Sequence, residues 1–260
     1  MSARRPFHLG YSVISWGETP DLDSVIGSIA QAGWEGVEFI GVSLDWLGTP
    51  RRLRAVLDRH GVPPVCMFGS VSLGDDATTV MERQRRLIEY AAEVGSSVYC
   101  FLGGQRVVRR LPTDDEFKRL AEQAELLIDY ANPFGLTVAY HAHPRCTVES
   151  EAEQDHLLRY SERLKLCVDV SVAALMGEDA VAQLRKYRDR LAYVHLKDLG
   201  PGKFCLMGRG TAGLDFRRIR ETLTEIGYGG WVVGELSSYA DTDATESCML
   251  NHQYLESVGY

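Results

Sequence analysis

Four stretches of this chain end in side chains that bind protons or cations. They are "LTVAYHAH" (136–143), "LKLCVDV" (164–170), "LAYVHLKD" (191–198) and "WVVGELS" (231–237). They carry His141 and His143, then Asp169, then His195 with Lys197 and Asp198, then Glu235. Each begins as an apolar, strand-like run, and ionisable groups at the tip of a buried strand are costly unless paired or bound to a metal. Strand alternation puts Tyr193, His195 and Lys197 on one face. The same period groups Thr137, Ala139, His141 and His143, and likewise Trp231, Val233 and Glu235. With Asp169 from its own strand, His141, His195 and Glu235 can meet at one point. Two neutral imidazoles and two carboxylates suit Mn²⁺, Co²⁺, Zn²⁺ or Fe²⁺, and Mg²⁺ tolerably. Each residue also has a structural reading. A lone histidine can be a hydrogen-bonded strand end, Asp169 can cap the following turn, and Glu235 can pair with an arginine. Glu38, inside "GVEFI", can be either a site residue or a buried ion-pair partner. Asp198 reads as the anchor of the turn that follows it, and His60 and His252 read as structural or surface residues.

These residues need a frame, and the chain supplies one by alternation. Apolar runs at 7–13, 36–40, 62–68, 96–102, 136–143, 164–170, 191–198 and 231–237 read as strands. Segments of helical period separate them, at 19–33, 49–61, 76–94, 113–132, 150–161, 176–188, 215–227 and 243–257. The signals are local. Thr19 and Thr49 can cap helices whose first turns hold Pro20 and Pro50, and Gly33 and Gly61 stop them. Thr113 with Glu116 makes a capping-box pattern. Leu53, Val56, Leu57 and His60 fall on one helical face. Repeated strand–helix units favour a parallel sheet with helices outside it, and eight of them close economically into an α/β (β/α)8 TIM barrel, a single domain over 1–260. A doubly wound open sheet is the alternative, but no GxGxxG follows the first strand. In such a barrel the chemistry lies at the C-terminal mouths of the strands, where all of these side chains fall.

Composition narrows the function classes. Apolar residues make up 45% of the 260, and the net charge is -8, which disfavours a nucleic-acid partner. No stretch approaches the roughly 18 apolar residues of a membrane span. "MSARRPFHLGYSVISW" lacks a secretory pattern, so a cytoplasmic protein is expected, away from membranes. Six cysteines without a CxxC pair read as reduced and mostly buried.

The chain resembles the sugar phosphate isomerase/epimerase superfamily, the xylose isomerase-like barrels, and within it the inosose dehydratase and inosose isomerase branches. The resemblance runs through "LGYSVISWG", "AGWEGVEF", "VAYHAHPRCTVES", "LKLCVDV", "DRLAYVHLKD" and "EIGYGGWVVGEL", and is weakest over 70–130. It implies a divalent metal held by Asp169, His195 and Glu235. His141 is expected to stand where many members have a glutamate, with Glu149 and Glu151 as lesser substitutes. It also implies that Lys197 and His143 face the substrate and that the protein is a homo-oligomer. Trp16, Glu38, Arg145 and Arg209 complete the expected substrate contacts. Two departures stand out. Val172 lies where many members have a histidine, and Arg209, in "GRG", replaces an acid.

The implied chemistry begins with removal of a proton next to a carbonyl, and Glu235, His143 and Lys197 are the candidate acid–base groups. The expected function is a divalent-metal-dependent isomerase or epimerase of a small keto-sugar or polyol. One alternative is a metal-dependent dehydratase of the inosose or dehydroshikimate type. A second is a metal-free or non-catalytic reuse of the barrel. A nuclease of the abasic-site type is a further reading, against which Val172 and the acidic charge both weigh.

Overall fold

The computed structural model describes residues 5–19, 21–74, 76–106, 110–236 and 243–260. Eight parallel strands close on themselves: β1 (His8–Ser12), β2 (Gly36–Phe39), β3 (Pro64–Val71), β4 (Val98–Gly103), β5 (Thr137–His141), β6 (Lys165–Asp169), β7 (Leu191–Leu196) and β10 (Trp231–Gly234). The order around the ring is β1-β10-β7-β6-β5-β4-β3-β2, so the first and last barrel strands pair, with His8 opposite Trp231. This is a TIM barrel. It places β5, β6, β7 and β10 side by side, the four strands whose tips carry the titratable residues.

Two apolar layers hold it together. The outer layer lies between the sheet and its helices. The lumen is a separate cluster of Ile40, Val65, Cys66, Phe68, Cys100, Ala139, Cys167, Tyr193 and Val233. Small residues keep it closed: a Cβ on Gly36 would lie 2.4 Å from Val65 and 2.8 Å from Trp231. A side chain there would overpack the floor of the barrel.

The helices follow their caps. In α3 (Pro50–His60), Thr49 accepts from the Arg52 amide, and Gly61 ends the helix in the left-handed region at φ 69. In α5 (Asp114–Ala131) the Thr113–Glu116 capping box forms in both directions. Other expectations need correction. Asp21, not Thr19, caps α1 (Leu22–Gln31), because its carboxylate reaches the Ser24 amide; Pro20 lies outside the described residues. A short helix, α2 (Leu44–Leu47), follows Ser43. The helix expected at 176–188 is α8 (Ala180–Lys186), and an unexpected short helix, α7 (Val170–Leu175), precedes it, starting directly at the tip of β6. The loop expected after β7 contains an antiparallel hairpin of β8 (Asp198–Gly200) and β9 (Lys203–Cys205). The remaining α-helices of the described residues are α4 (Ala77–Val94), α6 (Glu151–Leu158), α9 (Phe216–Glu225) and α10 (Ala244–Ser257). All six cysteines are free.

Candidate active site

The four expected ligands meet. One ligand atom from each of His141, Asp169, His195 and Glu235 lies within 4.8 Å of all the others, and all four residues are buried. His141 and Asp169 end β5 and β6, His195 lies one residue before the end of β7, and Glu235 is the first residue past β10.

Each side chain is aimed by a specific contact. Asp169 has two tasks. Its Oδ1 accepts from the Ser171 amide (2.9 Å), the Ser171 hydroxyl (2.6 Å) and the Val172 amide (3.1 Å), capping α7. That leaves Oδ2 for the cluster, 4.0 Å from His141 Nε2 and 4.0 Å from His195 Nδ1. Asp169 thus caps α7 with one oxygen and turns the other toward the cluster. Glu38, wholly buried in β2, reaches across the lumen to His195 Nε2 at 2.6 Å. Nδ1 faces Glu235 Oε2 at 3.0 Å and bears the second proton when the ring is charged, whereas Nε2 always carries one, since the Glu38 carboxylate can only accept. This is the carboxylate–histidine arrangement that fixes the tautomer of metal-ligating histidines. Lys197 Nζ lies 3.0 Å from Asp169 Oδ2 and 3.0 Å from Glu235 Oε1.

The electrostatics follow from burial and neighbours. Burial pushes His141 well below its ordinary pKa, and the nearby His195 adds to this, so the imidazole is neutral. Burial opposes ionisation of Glu235, but Lys197 and His195 outweigh it and hold the carboxyl well below the usual range. Asp169 is lowered in the same way, against its burial, by Lys197 and His141. Burial opposes charge on His195, but the Cys167 sulfur and the Glu38 and Glu235 carboxylates raise it well above its ordinary value. Burial likewise opposes charge on Lys197, yet Asp169 and Glu235 keep it protonated.

The donor set fits a divalent cation. Both nitrogens of His141 are buried without a hydrogen-bond partner, while Asp169 Oδ2, His195 Nδ1 and Glu235 Oε2 are buried with only ion-pair neighbours. Leaving such an atom unsatisfied costs about 1–3 kcal/mol. A single cation among them would satisfy one atom from each residue. Three buried carboxyl groups (Glu38, Asp169 and Glu235) also stand against two buried cations of the site, the Lys197 ammonium and the His195 ring.

Above the cluster opens a pocket of about 690 Å³ lined by His141, His143 and Glu235 on one side. Ile14, Ile40, Val42, Phe68, Leu87 and Leu102 form an apolar wall on the other. His143 is half-buried, and its Nδ1 lies 3.1 Å from the Pro144 carbonyl. That oxygen accepts only, so Nδ1 holds the proton and Nε2 keeps a lone pair. Burial and Lys197 lower the His143 pKa. Among the described residues, Trp16, Glu38, Arg145, Lys197 and Arg209 are not part of this pocket's lining. Trp16 is half-buried, with its indole donating to Thr245 Oγ1 (3.2 Å) at the start of α10. Glu38 lies beneath His195. Arg145 is exposed on the turn after β5, in the left-handed region at φ 68. Arg209 is exposed, and its amide donates to Leu206 O at 3.0 Å. Asp198 anchors the loop as expected, accepting from the amides of Leu199 (2.8 Å), Gly208 (2.9 Å) and Gly210 (2.9 Å). The sequence reading missed the wall built by β1–β4 and the reach of α4 over the mouth, where Gln84 Nε2 donates to Ser70 O at 2.9 Å.

A closed parallel barrel with a donor cluster at its C-terminal mouth defines a class of protein, and sequence comparison agrees. The chain belongs to the xylose isomerase-like TIM barrel family, whose model matches residues 26–253. It is 27% identical to the inosose dehydratase of Geobacillus kaustophilus, over 88% of this chain and 87% of the relative. It is also 27% identical to that of Lacticaseibacillus casei, over 87% and 88%. Among solved structures it shares the fold of an L-ribulose 3-epimerase (TM-score 0.82, 17% identity, 97% of this chain and 95% of the other). It also shares that of a probable 3-DHS dehydratase from Bacillus anthracis (TM-score 0.80, 15% identity, 96% and 99%). These relatives and neighbours are enzymes, and the chain is an enzyme of this family.

Proposed function

We propose that the protein is a divalent-metal-dependent isomerase or epimerase of a small keto-sugar or polyol, built as a single barrel domain and working in the cytoplasm. The observation that carries this reading is the convergence of His141, Asp169, His195 and Glu235 beside a pocket, lined by His141 and Glu235, that is large enough for a monosaccharide or cyclitol. When bound, the cation supplies positive charge opposite the negative charge that develops on a substrate oxygen.

The protein's own groups do the rest. Glu235 is ionised and lines the pocket, so it can take a proton from the carbon next to a carbonyl. His143 presents Nε2 as a lone pair and, once it has taken a proton from solvent, can deliver it at a neighbouring position or to an oxygen, while Glu235 gives up its proton to solvent. Lys197 acts from behind by holding Glu235 as the anion. The apolar wall lowers the local dielectric on one side of the pocket and so strengthens these interactions.

Dehydration is the second reading, favoured by the two inosose dehydratases that align with nearly the whole chain. The first step is the same, and the two readings part when a β-hydroxyl leaves. One experiment tests both. The metal-loaded protein is incubated in D₂O with a panel of keto-polyols and followed by NMR. Deuterium at the α-carbon with conserved mass balance supports isomerisation or epimerisation, and appearance of an unsaturated ketone supports dehydration. Glu235→Gln should abolish either while leaving the melting temperature of the protein high. Full-rate exchange by a chelated protein would sink the metal-dependent reading.

A further inference from the structure

Lys197 is among the largest fully buried side chains of the molecule, and its place is unusual for a lysine. It is the first residue after β7, and its stem runs up the lumen beside His195. Nζ ends 3.0 Å from Asp169 Oδ2, 3.0 Å from Glu235 Oε1, and 4.4 Å from the centre of the Phe204 ring. Phe204 belongs to β9, so the hairpin after β7 closes over the ammonium from above. Carboxylates hold it from the sides, and a cation–π contact covers it.

The decisive detail lies at Asp169. Its Oδ1 is spent on three hydrogen bonds to the first turn of α7. Only Oδ2 faces the cluster, and Lys197 Nζ already touches it. A cation among His141, Asp169, His195 and Glu235 must therefore share that oxygen with an ammonium. Two positive charges on one carboxylate oxygen repel each other strongly in a buried site. Without the ammonium, in contrast, the buried Asp169 would keep only the two imidazoles 4.0 Å away, and Glu235 only His195, which is destabilising.

We propose that Lys197 is a resident cation that sets the metal affinity of the site. It holds Asp169 and Glu235 in place in the metal-free protein, and by sharing Asp169 Oδ2 it keeps the affinity for divalent ions below what the four ligands alone would give. The inference rests on the reading that those four residues bind metal. Lysine suits the task because its compact charge fits between the carboxylates of the strands on either side of β7.

The test is a metal titration of the full chain, with no reaction involved. Wild type, Lys197→Met and Lys197→Arg are stripped of metal and titrated with Mn²⁺ and with Zn²⁺ by competition against a chromophoric chelator. Melting temperatures are measured with and without each ion. Lys197→Met should bind at least ten-fold more tightly than wild type, melt lower when metal-free, and gain more from added metal. Lys197→Arg, which keeps the charge, should not gain affinity. If Lys197→Met folds only in the presence of metal, that also supports the proposal. If it folds in neither condition, Lys197→Gln supplies the comparison. A wild type that binds no ion beside a Lys197→Met that does would support the inference in its strongest form. A wild type that binds while Lys197→Met binds no more tightly would overturn this inference alone. Absence of binding by both would overturn it together with the metal reading of the site.

Discussion

Glu38 was legible in the sequence only as an oddity, a carboxylate between apolar neighbours with two open readings. The fold gives it a role that strand-by-strand reading could not supply, because its partner His195 is 157 positions away. It fixes which ring nitrogen of His195 is free. Glu38→Gln removes the charged acceptor and should lower metal affinity by about 10–100-fold with the barrel intact, as measured by equilibrium dialysis and circular dichroism. A second prediction concerns pH. The folded-state pKa of His195 is raised by the anions around it. Its charged form therefore contributes stability that is complete below the unfolded value of about 6.5 and fades as the pH climbs through the raised folded value. A metal bound at Nδ1 must displace that proton. Metal affinity should accordingly rise as the pH climbs toward the raised folded value, by up to roughly ten-fold per unit, and level off above it. A flat titration series between those limits would show that His195 Nδ1 is not a ligand.

The elements show where local signals sufficed and where they did not. The α3 helix is framed by Thr49, Pro50 and Gly61, as its sequence says, because caps act within a few residues. The segment after Asp169 defeated the same reasoning. Its helix begins at Val170, driven by the capping carboxylate of Asp169, and the periodic stretch beyond becomes a separate helix. The β8–β9 hairpin was invisible because three-residue strands have no period to detect. What holds it is Asp198, with three amides on one carboxylate. Gly210 is required for that approach, since a Cβ there would lie 2.0 Å from Asp198 Oδ1. Asp198→Ala should cost about 2–4 kcal/mol in urea unfolding, because each lost bond joins an amide to a buried charged acceptor. It should also loosen Phe204 from Lys197, which tryptic susceptibility at Lys203 would report. Unchanged stability would mean that the loop is held by other contacts.

At the scale of the whole molecule, closure of the barrel converts eight separate strand ends into one site. Cys66, Cys100, Cys167 and Cys248 are buried, the first three in the lumen, whereas Cys146 and Cys205 are partly exposed. A chromogenic thiol reagent should therefore react with at most two thiols of the native protein and with all six after denaturation. Rapid reaction of more than two would show that the lumen opens readily. Adding Mn²⁺ or Zn²⁺ should raise the melting temperature in a concentration-dependent way, as for any ligand that binds only the folded state. Among the described residues, no helix is long and apolar enough to cross a membrane.

The sequence by itself determined the alternation of strands and helices, the barrel class, and the four residues that converge. Those properties follow from periodicity and from the fact that side chains on one face of a strand end at one mouth. Tertiary structure decided what each group does there. It divided the two oxygens of Asp169 between a helix and the cluster, and it assigned the two nitrogens of His195. It moved Lys197 from the substrate's side to the space between two carboxylates, and it left Arg145 and Arg209 outside the pocket wall. Such assignments depend on which atoms from distant strands come within 3 to 4 Å of one another, and only closure of the ring sets those distances.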